Sequence, residues 1–141
     1  MNVLVDTSIW SLALRREVPK IHAVTEALSE LIRELRVRII GPIRQELLSG
    51  IRSEKQSEEL RLHLSAFPDL PIETPDYEKA AEFFNICRDN GIQGSNTDFL
   101  ICSVAHRRDL EIFTSDKDFI AFRKHLPIKL YSSENMTHPE K

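Results

Sequence analysis

Four acidic residues, Asp6, Glu46, Asp98 and Asp116, stand where chemistry could be done. Asp6 ends the apolar run Val3-Leu4-Val5 and is followed by two hydroxyls, Thr7 and Ser8. Glu46 comes after the run Val37-Arg38-Ile39-Ile40 and the step Gly41-Pro42, and Asp116 comes after Glu111-Ile112-Phe113-Thr114. Asp98 opens an apolar stretch that runs to Arg107. Taken singly, each acid has an ordinary explanation. Asp and Glu at helix N-termini cap free N–H groups and meet the positive end of the helix dipole, and Asp98 has the spacing to close a capping box with Ser95. Taken together, they allow another. In an open parallel sheet, sites form outside the carboxyl ends of the strands, where Asp6, Glu46 and Asp116 would leave the sheet; Asp98 joins them if its helix packs there. Carboxylates gathered in one crevice repel one another and titrate as a coupled set, so only a bound cation makes such a cluster reasonable. Carboxylate oxygens select the hard ions Mg²⁺ or Mn²⁺. No pair of histidines or cysteines has zinc-ligand spacing; His22, His63, His106, His125 and His138 are scattered. A hard divalent ion held by carboxylates suits hydrolysis of a phosphodiester, because it polarises the phosphate, acidifies the attacking water and stabilises the leaving oxygen.

The elements that must position these acids follow from periodicity. Val3-Leu4-Val5 reads as a strand buried on both faces, over residues 2–6. A short helix over 8–15 follows, entered through Thr7/Ser8 capping chemistry. Ile21, Val24, Leu28, Leu31, Ile32 and Leu35 recur in steps of three and four, which marks an amphipathic helix over 20–35. A second strand covers 37–40, and Pro42 suits the first turn of the helix carrying Glu46. Leu60, Leu64 and Phe67 put a further helical pattern on the charged segment from Ser53. Pro68, Pro71 and Pro75 break the chain before a helix over 76–89, which Asn90-Gly91 stops. The segment Asp98–Arg107 is apolar nearly all round and is expected to be a central, buried helix. Residues 111–114 read as the third strand, Asp116 opens another helix, and 128–131 read as the last strand. Strands separated by helices imply parallel pairing through right-handed crossovers. The expected architecture is therefore an α/β fold, a three-layer α/β/α sandwich around a short, mainly parallel sheet.

The chain has 141 residues, enough for one domain with one core, here residues 1–131 with a polar tail over 132–141. Hydrophobic residues make up 41% and charged residues 29%, the balance of an ordinary globular protein. No apolar run is long enough for a membrane helix, and no signal peptide is evident, so a cytoplasmic location is expected. Cys87 and Cys102 lie in apolar, helix-like stretches and read as buried free thiols. The net charge of −3 argues against coating nucleic acid through overall charge, and leaves room for a basic rim around an acidic pocket. The stripe Tyr77, Ala80, Ala81, Phe84, Cys87 is either a face for self-association or the face that meets the sheet.

VLVDTSIW, GPIRQELLSG, GSNTDFLICSVA and IFTSDKDF resemble, in order, the four motifs of PIN-domain ribonucleases, and the similarity spans residues 2–131. VDTS followed by Ile-Trp is similar to the VapC-type toxins of toxin–antitoxin pairs. The resemblance implies Mg²⁺- or Mn²⁺-dependent cleavage of RNA, with Asp6, Glu46, Asp98 and Asp116 as catalytic metal ligands. It places the supporting hydroxyls on Thr7 or Ser8 and on Thr114, with Asp118 behind Asp116. It also implies a homodimer blocked by a cognate small antitoxin whose tail lies over the active-site groove. Arg15, Arg16 and Arg44 are candidates to grip RNA phosphates, and each also reads as an ordinary solvated arginine. Trp10 either stacks a base or fills the core or a groove toward the antitoxin. Two other readings stay open. One is a catalytically silent PIN-like module that binds RNA or protein; the other is a phospho-receiver-type α/β domain. Against the second, receivers carry paired acids before the acceptor strand ends and a lysine at a later strand end, and neither pattern is present. A phosphatase of the haloacid dehalogenase type would need an aspartate at position 8, which is Ser8.

Overall fold

The computed structural model describes residues 1–14 and 22–132. Four strands, β1 (Val3–Val5), β2 (Val37–Arg38), β3 (Glu111–Phe113) and β4 (Lys129–Leu130), form one sheet in the order β2-β1-β3-β4. All pairings are parallel: Val3 aligns with Val37 on one side and with Glu111 on the other, and Glu111 aligns in turn with Lys129. Val3, Leu4 and Val5 are fully buried, which is why this strand is a continuous apolar run without alternation. Such burial requires helices on both faces, and the described residues supply α1 (Thr7–Ala13), α2 (His22–Arg33), α3 (Gly41–Leu48), α4 (Glu54–Leu64), α5 (Thr74–Asp89), α6 (Asn96–Arg107) and α7 (Asp118–Arg123). α1 packs on α2 and α3, α3 packs on α4, and α5 packs along α6. The α/β class with a short parallel sheet is as the sequence implies.

Differences from the expected elements have physical causes. The run 37–40 pairs as a ladder only over Val37–Arg38, and Ile39 makes an isolated parallel bridge to Asp69. Pro75 does not break the chain; it lies in the first turn of α5, where its missing N–H has no intrahelical partner to lose, so the helix begins two residues earlier than expected. Asp116 precedes α7 by two residues instead of opening it. α6 is central: Phe99 to Ala105 are all buried. None of the described helices is long and apolar enough to cross a membrane. Arg15, Arg16 and the tail from 133 lie outside the described residues.

Candidate active site

β1 and β3 lie side by side, and their chain continuations diverge, one into α1 and one toward α7. In open parallel sheets, sites form outside the carboxyl edge at such a change of chain direction. Asp6 is the N-cap of α1, and its backbone N–H donates to the Phe113 carbonyl at 2.9 Å, so its position is tied to both strands. Its Oδ2 accepts the Ser8 hydroxyl at 2.8 Å and the Thr114 hydroxyl at 2.8 Å. Ser8 Oγ in turn accepts the Ser115 N–H at 3.0 Å, and Thr114 Oγ1 accepts the Asp116 N–H at 3.0 Å. Two hydroxyls thus stitch the end of β1 to the end of β3 and set Asp116 relative to Asp6. Asp6 is buried, so its carboxylate depends on these donors in place of water.

Asp116 Oδ1 accepts the Asp118 N–H at 2.9 Å. The backbone of Asp118, more than its exposed side chain, is what positions Asp116. Asp98 is the third residue of α6. Ser95 N–H donates to Asp98 Oδ2 at 3.1 Å, and Asp98 N–H donates to Ser95 Oγ at 3.0 Å, the reciprocal capping box that the spacing allows. Burial pushes the Asp98 carboxyl above its ordinary range, the Ser95 hydrogen bonds pull it down, and the negative charges of Asp116 and Asp6 push it up further. Three of the four acids are therefore close enough for their charges to be felt at one carboxyl. Glu46, in the second turn of α3, accepts the Thr7 hydroxyl on Oε1 at 2.7 Å, which ties it to the first residue of α1. Asp6 and Asp98 thus cap α1 and α6, while Glu46 and Asp116 are held by bonds that are not helix caps.

The sequence matches the PIN domain family profile over residues 3–124. The chain belongs to the PIN domain family. No curated protein sequence matches it significantly. Among solved structures it is similar to FitAcB from Neisseria gonorrhoeae, at 22% identity over 92% of this chain and 96% of that chain, with a TM-score of 0.74. VapBC2 from Rickettsia felis, solved bound to a DNA fragment from its promoter, is 18% identical over 95% and 100% of the two chains, with a TM-score of 0.76. VapBC-1 from nontypeable Haemophilus influenzae is 17% identical over 94% and 98%, with a TM-score of 0.73. At such identities these likenesses speak to the fold.

In this PIN domain each of the four acids is tethered through one oxygen. Asp6 Oδ2, Glu46 Oε1, Asp98 Oδ2 and Asp116 Oδ1 carry the bonds above, and the second oxygen of each has no hydrogen-bond partner among the described residues. Four hard donors with their carbon skeletons held fit Mg²⁺ or Mn²⁺ by ligand type. They are not gathered as tightly as the sequence suggested: among the described residues, no three histidine, cysteine or carboxylate side chains converge on a point that could hold an ion.

The structure gives Arg44 a different role from the one expected. Its Nε donates to Asp69 Oδ1 at 3.0 Å, Nη1 to the Leu64 carbonyl at 3.0 Å, and Nη2 to the Phe67 carbonyl. This guanidinium closes the end of α4 and the turn after it, so it is withdrawn from the candidates for phosphate binding. Trp10 is buried with its ring edge-on to Phe67, 5.4 Å between centroids, which removes it as a base-stacking platform. The stripe on α5 divides. Cys87 faces the core and is fully buried, whereas Tyr77, Ala80, Ala81 and Phe84 line an open groove of about 440 Å³ beside Thr97 and Leu100. Cys87 and Cys102 are both free and buried, and burial raises both thiols.

Proposed function

We propose that this PIN domain is a metal-dependent endoribonuclease and the toxin of a VapBC-type toxin–antitoxin pair. The observation that supports the reading is that the charges of Asp6 and Asp116 are felt at Asp98, with Glu46 tied to Thr7 next to Asp6 and each of the four acids held through one oxygen. Asp6, Glu46, Asp98 and Asp116 would hold Mg²⁺ or Mn²⁺, which when bound supplies Lewis-acid polarisation of the scissile phosphate and acidification of water. The chain's own residues prepare the site. Ser8 and Thr114 hold one oxygen of buried Asp6 with hydroxyl donors, Thr7 restrains exposed Glu46, and the Ser95 box fixes Asp98. With their backbones held, the four side chains need only local rotation to converge on an ion, and the ion relieves their mutual repulsion. Support for an antitoxin partner comes from a further structure of like fold, VapBC-5 from Mycobacterium tuberculosis, described as a member of the VapBC family of toxin–antitoxin systems. RNA as the substrate and a cytoplasmic location complete the reading.

The test is cleavage of a mixed single-stranded and looped RNA by the purified protein in Mn²⁺, Mg²⁺ and EDTA. Cleavage in either metal that EDTA abolishes is the expected outcome; equal cleavage after exhaustive chelation sinks the metal site. The absence of a converged ligand set gives a second reading its footing, that of a silent RNA-binding PIN module. RNA bound but intact in Mn²⁺ would favour it.

Self-association is also proposed, through the groove face of α5. Tyr77 is 56% exposed there beside Ala80, Ala81 and Phe84, an apolar surface at one end of the site-bearing helix α6. Sedimentation equilibrium is expected to show a dimer, which Ala81→Glu shifts to monomer. A wild-type protein that stays monomeric at high micromolar concentration removes the claim.

A further inference from the structure

We infer that Gly94 is a positioning residue that sets the spacing between the two arms carrying Asp98 and Asp116. The inference rests on the proposed metal site and names a residue on which that site depends. Gly94 lies one residue before Ser95, whose N–H and hydroxyl hold the Asp98 capping box. Its backbone is outside the left-handed region, so the requirement for glycine here is not conformational. The requirement is space. A Cβ on residue 94 would stand 2.6 Å from Phe122 Cζ and 2.9 Å from Phe99 Cε2.

Neither ring can give way. Phe122 is fully buried and Phe99 nearly so. Phe99 meets Phe122 at 4.8 Å between centroids and Phe84 at 5.6 Å, and Phe122 meets Phe119 at 5.1 Å. Dense cores transmit such an intrusion as displacement of whole elements. The two rings belong to the two arms: Phe99 follows Asp98 on α6, while Phe122 lies on α7, whose approach carries Asp116. Gly94 is thus the contact at which the loop before α6 rests directly on α7. A methyl group there pushes the loop outward, takes Ser95 with it, and loosens Asp98 relative to Asp116.

The test is Gly94→Ala, Phe122→Leu and the double variant, each measured for Mn²⁺ binding by calorimetry and for amide exchange at Ser95 and Asp98 in the metal-free protein. Phe122→Leu removes the ring tip in closest approach to the new methyl group and opens the space on which Phe99 packs, so that the Phe99 ring can then shift the few tenths of an ångström its own contact needs. Loss of a residue that orients ligands typically weakens metal binding by about 10- to 100-fold. Gly94→Ala is expected to bind Mn²⁺ at least about tenfold more weakly and to exchange its Ser95 and Asp98 amides faster, with the double variant returning toward Phe122→Leu on both measures. A folded Gly94→Ala with wild-type Mn²⁺ affinity and exchange overturns the inference, and so does a double variant as weak as the single one. If Gly94→Ala does not fold, the double variant decides on the same two measures against Phe122→Leu. If the wild type binds no Mn²⁺, the metal reading fails, and the exchange rates alone still decide whether Gly94 sets the Asp98 arm.

Discussion

Asp98→Asn is expected to fold, to melt no lower than the wild type in EDTA, and to lose metal-dependent cleavage by at least about a hundredfold. Asparagine keeps an oxygen for the Ser95 N–H and caps helices about as well as aspartate, so the capping box survives. The charge does not survive, and a hard divalent ion is held chiefly by charge. Residues that merely orient ligands cost about 10- to 100-fold when lost, so a ligand should cost no less than the top of that range. The stability argument runs the other way. Burial and the charges of Asp116 and Asp6 raise the Asp98 carboxyl, which means that its ionised form is disfavoured in the folded protein. Removing that charge relieves the metal-free fold. Asp116→Asn is expected to behave alike, because its tether is one N–H to Oδ1. Thermal melts in EDTA and RNA cleavage in Mn²⁺ check both. Unaltered cleavage by either variant would leave that residue with its local hydrogen bond alone, the capping box at Asp98 or the Asp118 N–H at Asp116.

The largest expected effect on stability lies away from the site, at Asp76. This aspartate is fully buried near the start of α5. It accepts Arg107 at 2.6 Å and Arg108 at 2.8 and 3.0 Å, and its Oδ2 also accepts the Glu73 N–H at 2.8 Å. The Ser103 hydroxyl donates to its carbonyl at 2.7 Å. The cluster bolts the first turn of α5 to the last turn of α6. Removing one partner of a buried ion pair typically costs about 3–5 kcal/mol. The arginine side chains are 30% and 22% exposed and can recover some hydration, so Asp76→Ala is expected near the lower end, about 3 kcal/mol, or roughly 10 °C in melting temperature. Asp76→Asn keeps the Glu73 bond and should lose less. The Arg108 guanidinium, foremost among its partners, holds the Asp76 carboxyl well below the usual carboxylate range. Its contribution is therefore complete above about pH 4, where the unfolded carboxyl is ionised, and is lost as pH falls below that toward the folded value. Denaturant melts from pH 6 to pH 2 should show a steeper acid loss in the wild type than in Asp76→Asn. Parallel curves would mean that the cluster contributes little.

Which of these features could be read from the sequence depends on how local their cause is. The buried strand before Asp6, the all-round apolar helix after Asp98 and the Ser95–Asp98 box are encoded within a few residues, and each is found in the structure. Pro75 was ambiguous, because a proline breaks a helix it follows and starts one it precedes. Arg44 resembles a phosphate ligand by type and place, but whether a guanidinium meets phosphate or carbonyls depends on the turn that folds over it, some 20 residues on. Asp76 finds its arginines 31 and 32 residues away, with no local pattern to announce them. Gly94 has no positive φ or turn signature, and its need for space exists only once α7 is packed.

The parallel register of β1 also bears on when the site can exist during synthesis. Val3 pairs with Val37 and with Glu111, so the first strand made waits for residue 37 to gain one neighbour and for residue 111 to gain the other. Until Thr114 follows, Asp6 has only Ser8 to hold it, and Asp116 does not yet exist. At about 5–20 residues per second, the delay between Asp6 and Thr114 leaving the ribosome's catalytic centre is on the order of 5–20 s. Pairings this distant in sequence also form late in folding, because a long loop must close before they contribute. The acids of the candidate site are thus not all present until residue 116 has been made, and on the proposed function the nascent chain cannot cleave before that point. A ribosome-bound chain stalled before residue 111 is expected to show no cleavage, whereas one extended well past residue 131 recovers it.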